Sequence, residues 1–296
     1  MLSALLVVLV GGETFLRAYY GFCDTVLMQE SRYYEYIAQP SQRRFRFRRH
    51  VEYNSKSMRS PEPDSSAQKI MGFGDSILNG GVLVDQDSLA TTIMSKHLSQ
   101  SRGRKVQFLN VSSGSWGPDN CFAYLERHGD FKAKTFWLFV SSHDAYDSMN
   151  FEKTVDVVAG YPSRQYSFAW LELCNRYLLP ALSSMLRANA ASAAPRTLRI
   201  NKQRDGDAFN PGFQRFVDYS RDNGVELKIY LHAELDELKL GGYNDHGLQI
   251  IKFAEERGVP LVKDLEHGLQ ETDFHDFIHL NDAGHKRMAD IVLKNL

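Results

Sequence analysis

The chain has 296 residues, of which 43% are hydrophobic and 24% are charged. These fractions are typical of a globular protein, and they exclude a disordered or collagen-like chain. Lysine plus arginine (35) nearly balances aspartate plus glutamate (36), so no field of the whole molecule favours nucleic acid. The length favours one sizeable core with appended segments.

The three cysteines, Cys23, Cys121 and Cys174, form neither a CxxC pair nor a cluster with histidines. An odd and sparse set is not typical of a disulfide framework or of a structural zinc site. We therefore expect buried thiols, and neither a metal ion nor a cofactor.

The first twelve residues, MLSALLVVLVGG, contain a short apolar run that is followed by Glu13 and Arg17. A membrane-spanning helix needs roughly twenty apolar residues, and the basic start and cleavage site of a signal peptide are missing. Two interpretations stay open. A shortened anchor that continues amphipathically to Tyr20, which we favour, predicts a cell-envelope protein that associates with a membrane. A buried N-terminal helix also fits a cytoplasmic protein.

Residues 13–68 form a region rich in tyrosine and arginine that ends in a linker-like sequence at residues 61–66. Within it, Phe45 and Phe47 alternate with arginines over residues 43–50, which predicts a half-exposed strand. Its charged face could contact acidic polysaccharide, phosphate or anionic headgroups. The alternative is a solvated edge strand that its charges protect from aggregation.

From Lys69 onward, strands alternate with helices. Short apolar runs predict five strands, at residues 69–73, 106–111, 135–140, 225–231 and 259–262. Helical spacing predicts helices at residues 88–100, 120–128, 213–223, 248–257 and 282–296. The alternation predicts an α/β fold, a three-layer α/β/α sandwich with a mainly parallel five-stranded sheet of the flavodoxin-like type.

Residues 145–208 are too many for a simple crossover between the third and fourth strands. Helical spacing over residues 168–186, interrupted by Pro180, predicts a lid or a side wall. The chain thus divides into an N-terminal part, residues 1–68, and an α/β domain, residues 69–296, that carries this insertion.

Ligands of doubly wound sheets bind at the carboxyl ends of the strands, so the residues after each strand are candidates for chemistry. The first strand leads into GFGDSILNGG, residues 72–81, where Ser76 lies on a tight turn. Such a serine is exposed for nucleophilic attack if a base takes its proton and donors hold the oxyanion. Taken alone, Gly-Asp-Ser is more typical of an ordinary turn.

A second candidate element lies just before the last helix, in DFHDFIHLNDAGH, residues 273–285. Asp276 stands three residues before His279, where a carboxylate can fix the tautomer of the imidazole and stabilise its protonated form. The pair could instead bind a metal or cap the helix. Because no matching ligand cluster occurs elsewhere in the sequence, we expect no metal.

These two motifs and the order of strands between them resemble the SGNH (GDSL) hydrolase family, over about residues 69–296. In that family the first motif supplies a serine nucleophile and the last supplies the acid and the histidine. The resemblance therefore implies a serine esterase with a triad of Ser76, Asp276 and His279.

The family's oxyanion hole combines the N–H of the nucleophile with a glycine N–H from a second motif and an asparagine amide from a third. By register, the second donor here is the N–H of Ser115, with Gly114 one position away. A serine can serve if its backbone does not require a positive φ. The third motif departs, because His143 replaces the asparagine. An imidazole can donate one N–H, or His143 is a structural histidine.

Residues 17–59 resemble the N-terminal extensions of some membrane-anchored cell-envelope SGNH proteins of bacteria, at Arg17, Gly21, Tyr36, Pro40, Gln42, Asn54 and Arg59. Several such relatives act in O-acylation of exported polysaccharides. This implies small acyl groups, such as acetyl, on carbohydrate as the substrate. Candidate sugar-stacking residues, which could equally be core or rim residues, are Trp116, Tyr146, Tyr161 and Trp170.

Two alternatives to an esterase stay open. An O-acyltransferase would share the covalent half-reaction and pass the acyl group to a hydroxyl of an exported polysaccharide. A non-catalytic envelope protein would keep the fold and bind glycan.

Overall fold

A computed structural model describes residues 2–188, 206 and 208–296 of the chain. The N-terminal part consists of one helix and two antiparallel hairpins. Their bounds are α1 (Leu2–Tyr20), β1 (Met28–Ser31), β2 (Glu35–Ala38), β3 (Gln42–Arg46) and β4 (Arg49–Tyr53).

The prediction of a single strand over residues 43–50 is wrong, because Phe47 and Arg48 form the turn between β3 and β4. Both residues have positive φ, 48° and 62°, which a two-residue hairpin turn requires and which glycine or asparagine usually provides. Contacts with the end of α1 hold the turn. The N–H of Phe47 donates to the carbonyl of Tyr20 at 2.9 Å, and the Arg48 guanidinium lies 5.3 Å from the Tyr19 ring centroid.

The central sheet contains five parallel strands in the order β6-β5-β7-β8-β9. Their bounds are β5 (Gln68–Gly74), β6 (Val106–Ser112), β7 (Thr135–Ser141), β8 (Glu226–His232) and β9 (Leu261–Lys263). The helices of this part are α2 (Ser76–Asn79), α3 (Ala90–Arg102), α4 (Pro118–His128), α5 (Ala169–Leu173), α6 (Leu179–Ala188), α7 (Pro211–Asn223), α8 (Leu235–Leu240), α9 (Asp245–Arg257) and α10 (Asp282–Lys294). The three-layer α/β/α sandwich that the sequence predicts is confirmed.

Alternate residues of the strands point to opposite sides of the sheet. On one side, Ile70 and Phe139 pack with apolar residues of α3 and α10. On the other, Phe73 and Phe136 pack with residues of α4, α7 and α9, among them Phe216. Both faces of the sheet are therefore covered, which explains why β7 is hydrophobic along its length.

The N-terminal hairpins share the second of these cores with the sheet. Tyr36, Ile37, Val51 and Met58 are buried in the same apolar cluster as Phe73. The α/β domain and the N-terminal part thus bury apolar surface against each other on folding.

The N-terminal helix α1 exposes most of the apolar side chains in its first half. Leu6, Val7, Val8, Leu9 and Val10 are between 47% and 71% exposed, so the interpretation of α1 as a buried helix does not hold for them. Among the helices in the described part of the chain, none is long and apolar enough to cross a membrane.

The insertion packs α5 against α1. The Trp170 indole donates to the carbonyl of Leu9 at 2.9 Å, and Glu13 accepts from the N–H of Ala169 at 2.8 Å. One turn of π-helix, Cys174–Leu178, separates α5 from α6. Pro180 has no N–H and would clash with the carbonyl four residues earlier, which accounts for the wider turn. Residues 189–205 and 207 of the predicted insertion lie outside the described residues.

The expectation of buried thiols holds for Cys121. Cys23 is half-buried, and Cys174, in the π-helical turn, is exposed. Each of the three is a free cysteine.

Candidate active site

Ser76 is the first residue of α2, directly after β5. Asp75 caps this short helix, since its carboxylate accepts from the N–H of Ile77 at 2.8 Å. Gly74 allows the close approach of β7, because a Cβ at this position would lie 3.0 Å from the carbonyl oxygen of Phe139. The sequence thus folds into a tight turn that holds Ser76 at the carboxyl edge of the sheet.

Arg59, from the N-terminal part, fixes the backbone that follows α2. Its guanidinium is fully buried and donates to the carbonyls of Asn79, Gly81 and Val84. Burial lowers the pKa of Arg59 to about 10, so the group stays charged at neutral pH. The turn that carries Ser76 is therefore supported from outside the α/β domain.

The structure brings Ser76, His279 and Asp276 together. Ser76 Oγ lies 3.0 Å from His279 Nε2, and His279 Nδ1 lies 2.7 Å from Asp276 Oδ2. The other oxygen of Asp276 accepts from the N–H groups of Ile278 and His279, at 3.0 and 2.8 Å. Each ring nitrogen of His279 thus faces one partner, in the geometry of an acid–imidazole–hydroxyl relay.

The charge of Asp276 determines the tautomer of His279. Burial alone would raise the pKa of the Asp276 carboxyl, but hydrogen bonds from the His279 ring and from two backbone N–H groups outweigh it and hold the pKa well below its usual range. The ionised carboxylate accepts from Nδ1–H, so Nε2 is the ring nitrogen that faces Ser76 Oγ.

Ser115 lies in the turn after β6, at the same edge of the sheet as Ser76. It has a φ of 55°, in the left-handed region that favours glycine. The condition under which a serine replaces the family's glycine without strain is therefore not met. At the neighbouring Gly114, a Cβ would lie only 2.6 Å from the hydroxyl of Tyr161.

Two hydrogen bonds tie this turn to strand β2. The Tyr36 hydroxyl donates to the carbonyl of Gly114 at 2.9 Å, and the Trp116 indole donates to the carbonyl of Tyr36 at 2.9 Å. The turn is therefore fixed by the N-terminal part as well as by β6.

His143 follows β7 and lies beside Asp75. Its Nε2 is 3.7 Å from Asp75 Oδ2 and 3.8 Å from Asp144 Oδ1, and its Nδ1 is 3.3 Å from Glu234 Oε1. Burial favours the neutral ring, but Asp144, Asp75 and Glu234 outweigh this effect and raise the pKa of His143 well above its usual value. These acids therefore favour the charged form of the ring, and 38% of the His143 side chain is exposed.

Glu234, which sequence reasoning missed, lies two residues beyond the end of β8. The rule that functional residues follow strands would have drawn attention to it. Asp75, His143 and Asp144 also offer ligand atoms that all lie within 4.8 Å of one another, so these three side chains could hold a metal ion. A proton on His143 offsets part of the negative charge of Asp75, and burial beside Asp75 raises the pKa of Asp144 well above its usual range.

Most of the candidate sugar-stacking aromatics belong to the core or to its rim. Trp116 and Tyr161 are only 1% and 6% exposed. Tyr146 is half-buried and bonds to Gln249, and Trp170 packs on α1.

The sheet order places the first strand between the second and third, and Ser76 and His279 meet at its carboxyl edge. Both features are those that the resemblance implies. The chain thus has the parallel α/β/α fold that the resemblance to SGNH hydrolases implies.

No protein-family model and no curated protein sequence matches the chain. Solved structures similar to it include an acetyl xylan esterase, AlAXEase (14% identity, TM-score 0.43, 77% of this chain and 99% of the other). TesA is similar at 15% identity and a TM-score of 0.45, over 77% and 98% of the two chains. A carbohydrate acetylesterase family member from Sinorhizobium meliloti is similar at 10% identity and a TM-score of 0.42, over 77% and 96%.

Proposed function

We propose that this SGNH-fold protein is a serine esterase that hydrolyses carboxylic esters. The observation that carries the proposal is the continuous relay from Asp276 through His279 to Ser76, with distances of 2.7 and 3.0 Å. A serine hydroxyl is a weak nucleophile until a positioned base takes its proton, and the relay supplies that base.

In the proposed mechanism Ser76 Oγ attacks the acyl carbonyl while its proton moves to His279 Nε2. Asp276 stabilises the resulting imidazolium. The tetrahedral oxyanion is held by the N–H groups of Ser76 and Ser115 and by the His143 ring. His279 then donates its proton to the leaving alcohol, and water activated by the same histidine releases the acid.

For the substrate we propose a small acyl group, such as acetyl, on carbohydrate. The Asp276 side chain is 39% exposed and the adjacent Phe277 is 63% exposed. The relay therefore lies at the protein surface, where a bulky alcohol such as a sugar chain can reach it.

The decisive experiment compares the wild type with Ser76→Ala on p-nitrophenyl acetate and on acetylated xylan oligosaccharides. We expect acetate release by the wild type and its loss in Ser76→Ala, while Ser101→Ala, at an exposed position of α3, keeps full activity. Equal rates for the wild type and Ser76→Ala would refute the proposal. Acetyl transfer to an added oligosaccharide in place of acetate release would identify a transferase.

We also propose that α1 associates with a membrane surface. Beyond the exposed residues Leu6–Val10, Phe15 and Tyr19 stack at 5.2 Å and Tyr20 packs edge-on to both. Arg48 lies over Tyr19. An apolar segment followed by aromatic and basic residues is typical of the membrane–water interface.

Co-sedimentation with phosphatidylglycerol vesicles tests this association. Val8→Asp should lower the bound fraction strongly, whereas Leu240→Asp, on the exposed side of α8, should not. Equal binding of the two variants would exclude α1 as the contact. An envelope location, which the resemblance implies, stays a prediction.

A further inference from the structure

A second histidine–aspartate pair lies beneath the relay. His232, the last residue of β8, and Asp264, which follows β9, are both fully buried. His232 Nδ1 lies 2.6 Å from Asp264 Oδ2, and His232 Nε2 lies 2.9 Å from the carbonyl oxygen of Ile278. Neither residue takes part in the proposed chemistry.

The protonation of this pair follows from its partners. The carbonyl of Ile278 can only accept, so His232 Nε2 must carry a proton. Asp264 accepts from the N–H of Ala233 at 2.9 Å and from the Tyr230 hydroxyl at 3.2 Å. A second proton lies between His232 Nδ1 and Asp264 Oδ2, so both ring nitrogens are hydrogen-bonded. Burial favours the neutral ring, but Asp264 outweighs this effect and raises the pKa of His232. A buried charge is tolerated only when it is paired in this way.

The bond to Ile278 reaches the segment that carries the relay. Ile278 directly precedes His279, and its N–H donates to Asp276 at 3.0 Å. The peptide groups around Ile278 are thus held by Asp276 on one side and by His232 on the other. The His232 ring also stacks on Phe274, at 5.5 Å between centroids. The end of β8 is in this way fixed to the loop that presents His279.

We propose that His232, paired with Asp264, is a positioning residue for His279. It sets the backbone from which the His279 ring reaches Ser76 Oγ at 3.0 Å. A displacement of about 1 Å of a catalytic group can cost about 100-fold in rate, so loss of the bond to Ile278 should lower the rate of proton transfer while the substrate-binding surface stays intact. The proposal rests on the proposed function only for its kinetic consequence.

Two variants separate positioning from stability. In His232→Gln the side-chain amide lies where Nε2 was and can still donate to Ile278. In His232→Asn it lies where Nδ1 was, keeps the contact with Asp264 and loses Ile278. Both variants lose the buried ion pair, so we expect both melting temperatures to fall. We expect kcat on p-nitrophenyl acetate to fall about 10- to 100-fold in His232→Asn with KM nearly unchanged, and to stay within a few-fold of the wild type in His232→Gln.

Equal losses of kcat in the folded fractions of the two variants, or no loss in His232→Asn, would overturn the proposal. Hydrogen exchange of the peptide covering residues 273–281 gives a readout that needs no turnover, and it should accelerate in His232→Asn more than in His232→Gln. If the wild type hydrolyses no ester, the esterase proposal fails while the exchange result still decides the role of His232. In the wild type, ¹H–¹⁵N spectra of the ring test the bond directly, because a deprotonated Nε2 would exclude it whatever the variants do.

Discussion

The segments that follow β7 and that precede α10 both bring a histidine and a carboxylate close to Ser76, but they surround the ring with different numbers of acids. Before α10, one carboxylate, Asp276, pairs with Nδ1 of His279, and Nε2 of the same ring faces Ser76 Oγ. After β7, Asp75, Asp144 and Glu234 surround His143 and raise the pKa of its ring well above the usual value. The number of acids around the imidazole thus differs between the proposed base and the proposed oxyanion donor.

The largest expected effect comes from removing Ser76 or His279. Ser76→Ala and His279→Ala should each lower kcat by up to about a millionfold, because the relay acts as a unit. The double variant should lose little more. Steady-state kinetics on p-nitrophenyl acetate measure all three, and losses that multiply would show that the two residues work independently.

Removing His143 should have a smaller effect. His143→Ala should lower kcat by about a hundred- to a thousandfold, the cost of one lost oxyanion donor, with little change in substrate binding. His143→Asn, which restores a neutral donor, should recover part of the rate.

Melting temperatures measured on the same preparations separate this role from a structural one. A structural histidine would lower the melting temperature in both variants and leave kcat of the folded fraction unchanged. A loss of wild-type activity in EDTA that is restored by a divalent metal would instead indicate that Asp75, His143 and Asp144 hold an ion.

A still smaller effect should come from changing the acids around His143. The protonated ring is lost as pH rises through its raised pKa, and Glu234→Gln removes one of the groups that raise it. The alkaline limb of the kcat–pH profile should therefore move to lower pH, by up to about one unit. Asp236→Asn makes the same charge change at an exposed position nearby and should leave the limb in place. A shift of the limb to higher pH would contradict the assignment.

The smallest expected effect concerns Ser115, whose backbone N–H is the proposed second oxyanion donor. Ser115→Gly should raise the free energy of unfolding by about 0.5 kcal/mol, since relief of the positive φ is partly offset by the greater unfolded-state entropy of glycine. The N–H is retained, so kcat should not change. Ser113→Gly, at a buried position of the same turn without positive φ, should be destabilising in thermal unfolding. A lower kcat in Ser115→Gly would show that the Ser115 side chain takes part.

Sequence reasoning predicted well where periodicity and capping decide the structure. The five strands and the helices after them appear within a few residues of their predicted bounds. The helices α7 and α9 end at Gly224 and Gly258, which are in the left-handed conformation typical of helix ends. Asn281 caps α10 through its side chain, an N-cap residue type that a sequence can indicate. These features depend on local interactions, which a single sequence contains.

Features set by distant contacts were missed. The turn at Phe47 and Arg48 has no glycine or asparagine, and contacts with α1 hold it instead. Arg46, expected on a solvated face, is buried and pairs with Glu172 of α5 at 2.8 Å. Glu234 comes near His143 only because β7 and β8 are adjacent in the sheet. The two residues of each such pair are far apart in the chain, and no local sequence pattern predicts that they are in contact.

The two hydrogen bonds between Tyr36 and the turn of Gly114 and Trp116 limit which N-terminal segments can be joined to the α/β domain. A gene fusion that exchanged the first 68 residues for those of another protein would have to rebuild both contacts to keep the proposed second oxyanion donor in place. The extension and the α/β domain should therefore be inherited together, and domain shuffling at the apparent linker of residues 61–66 would separate parts that depend on each other.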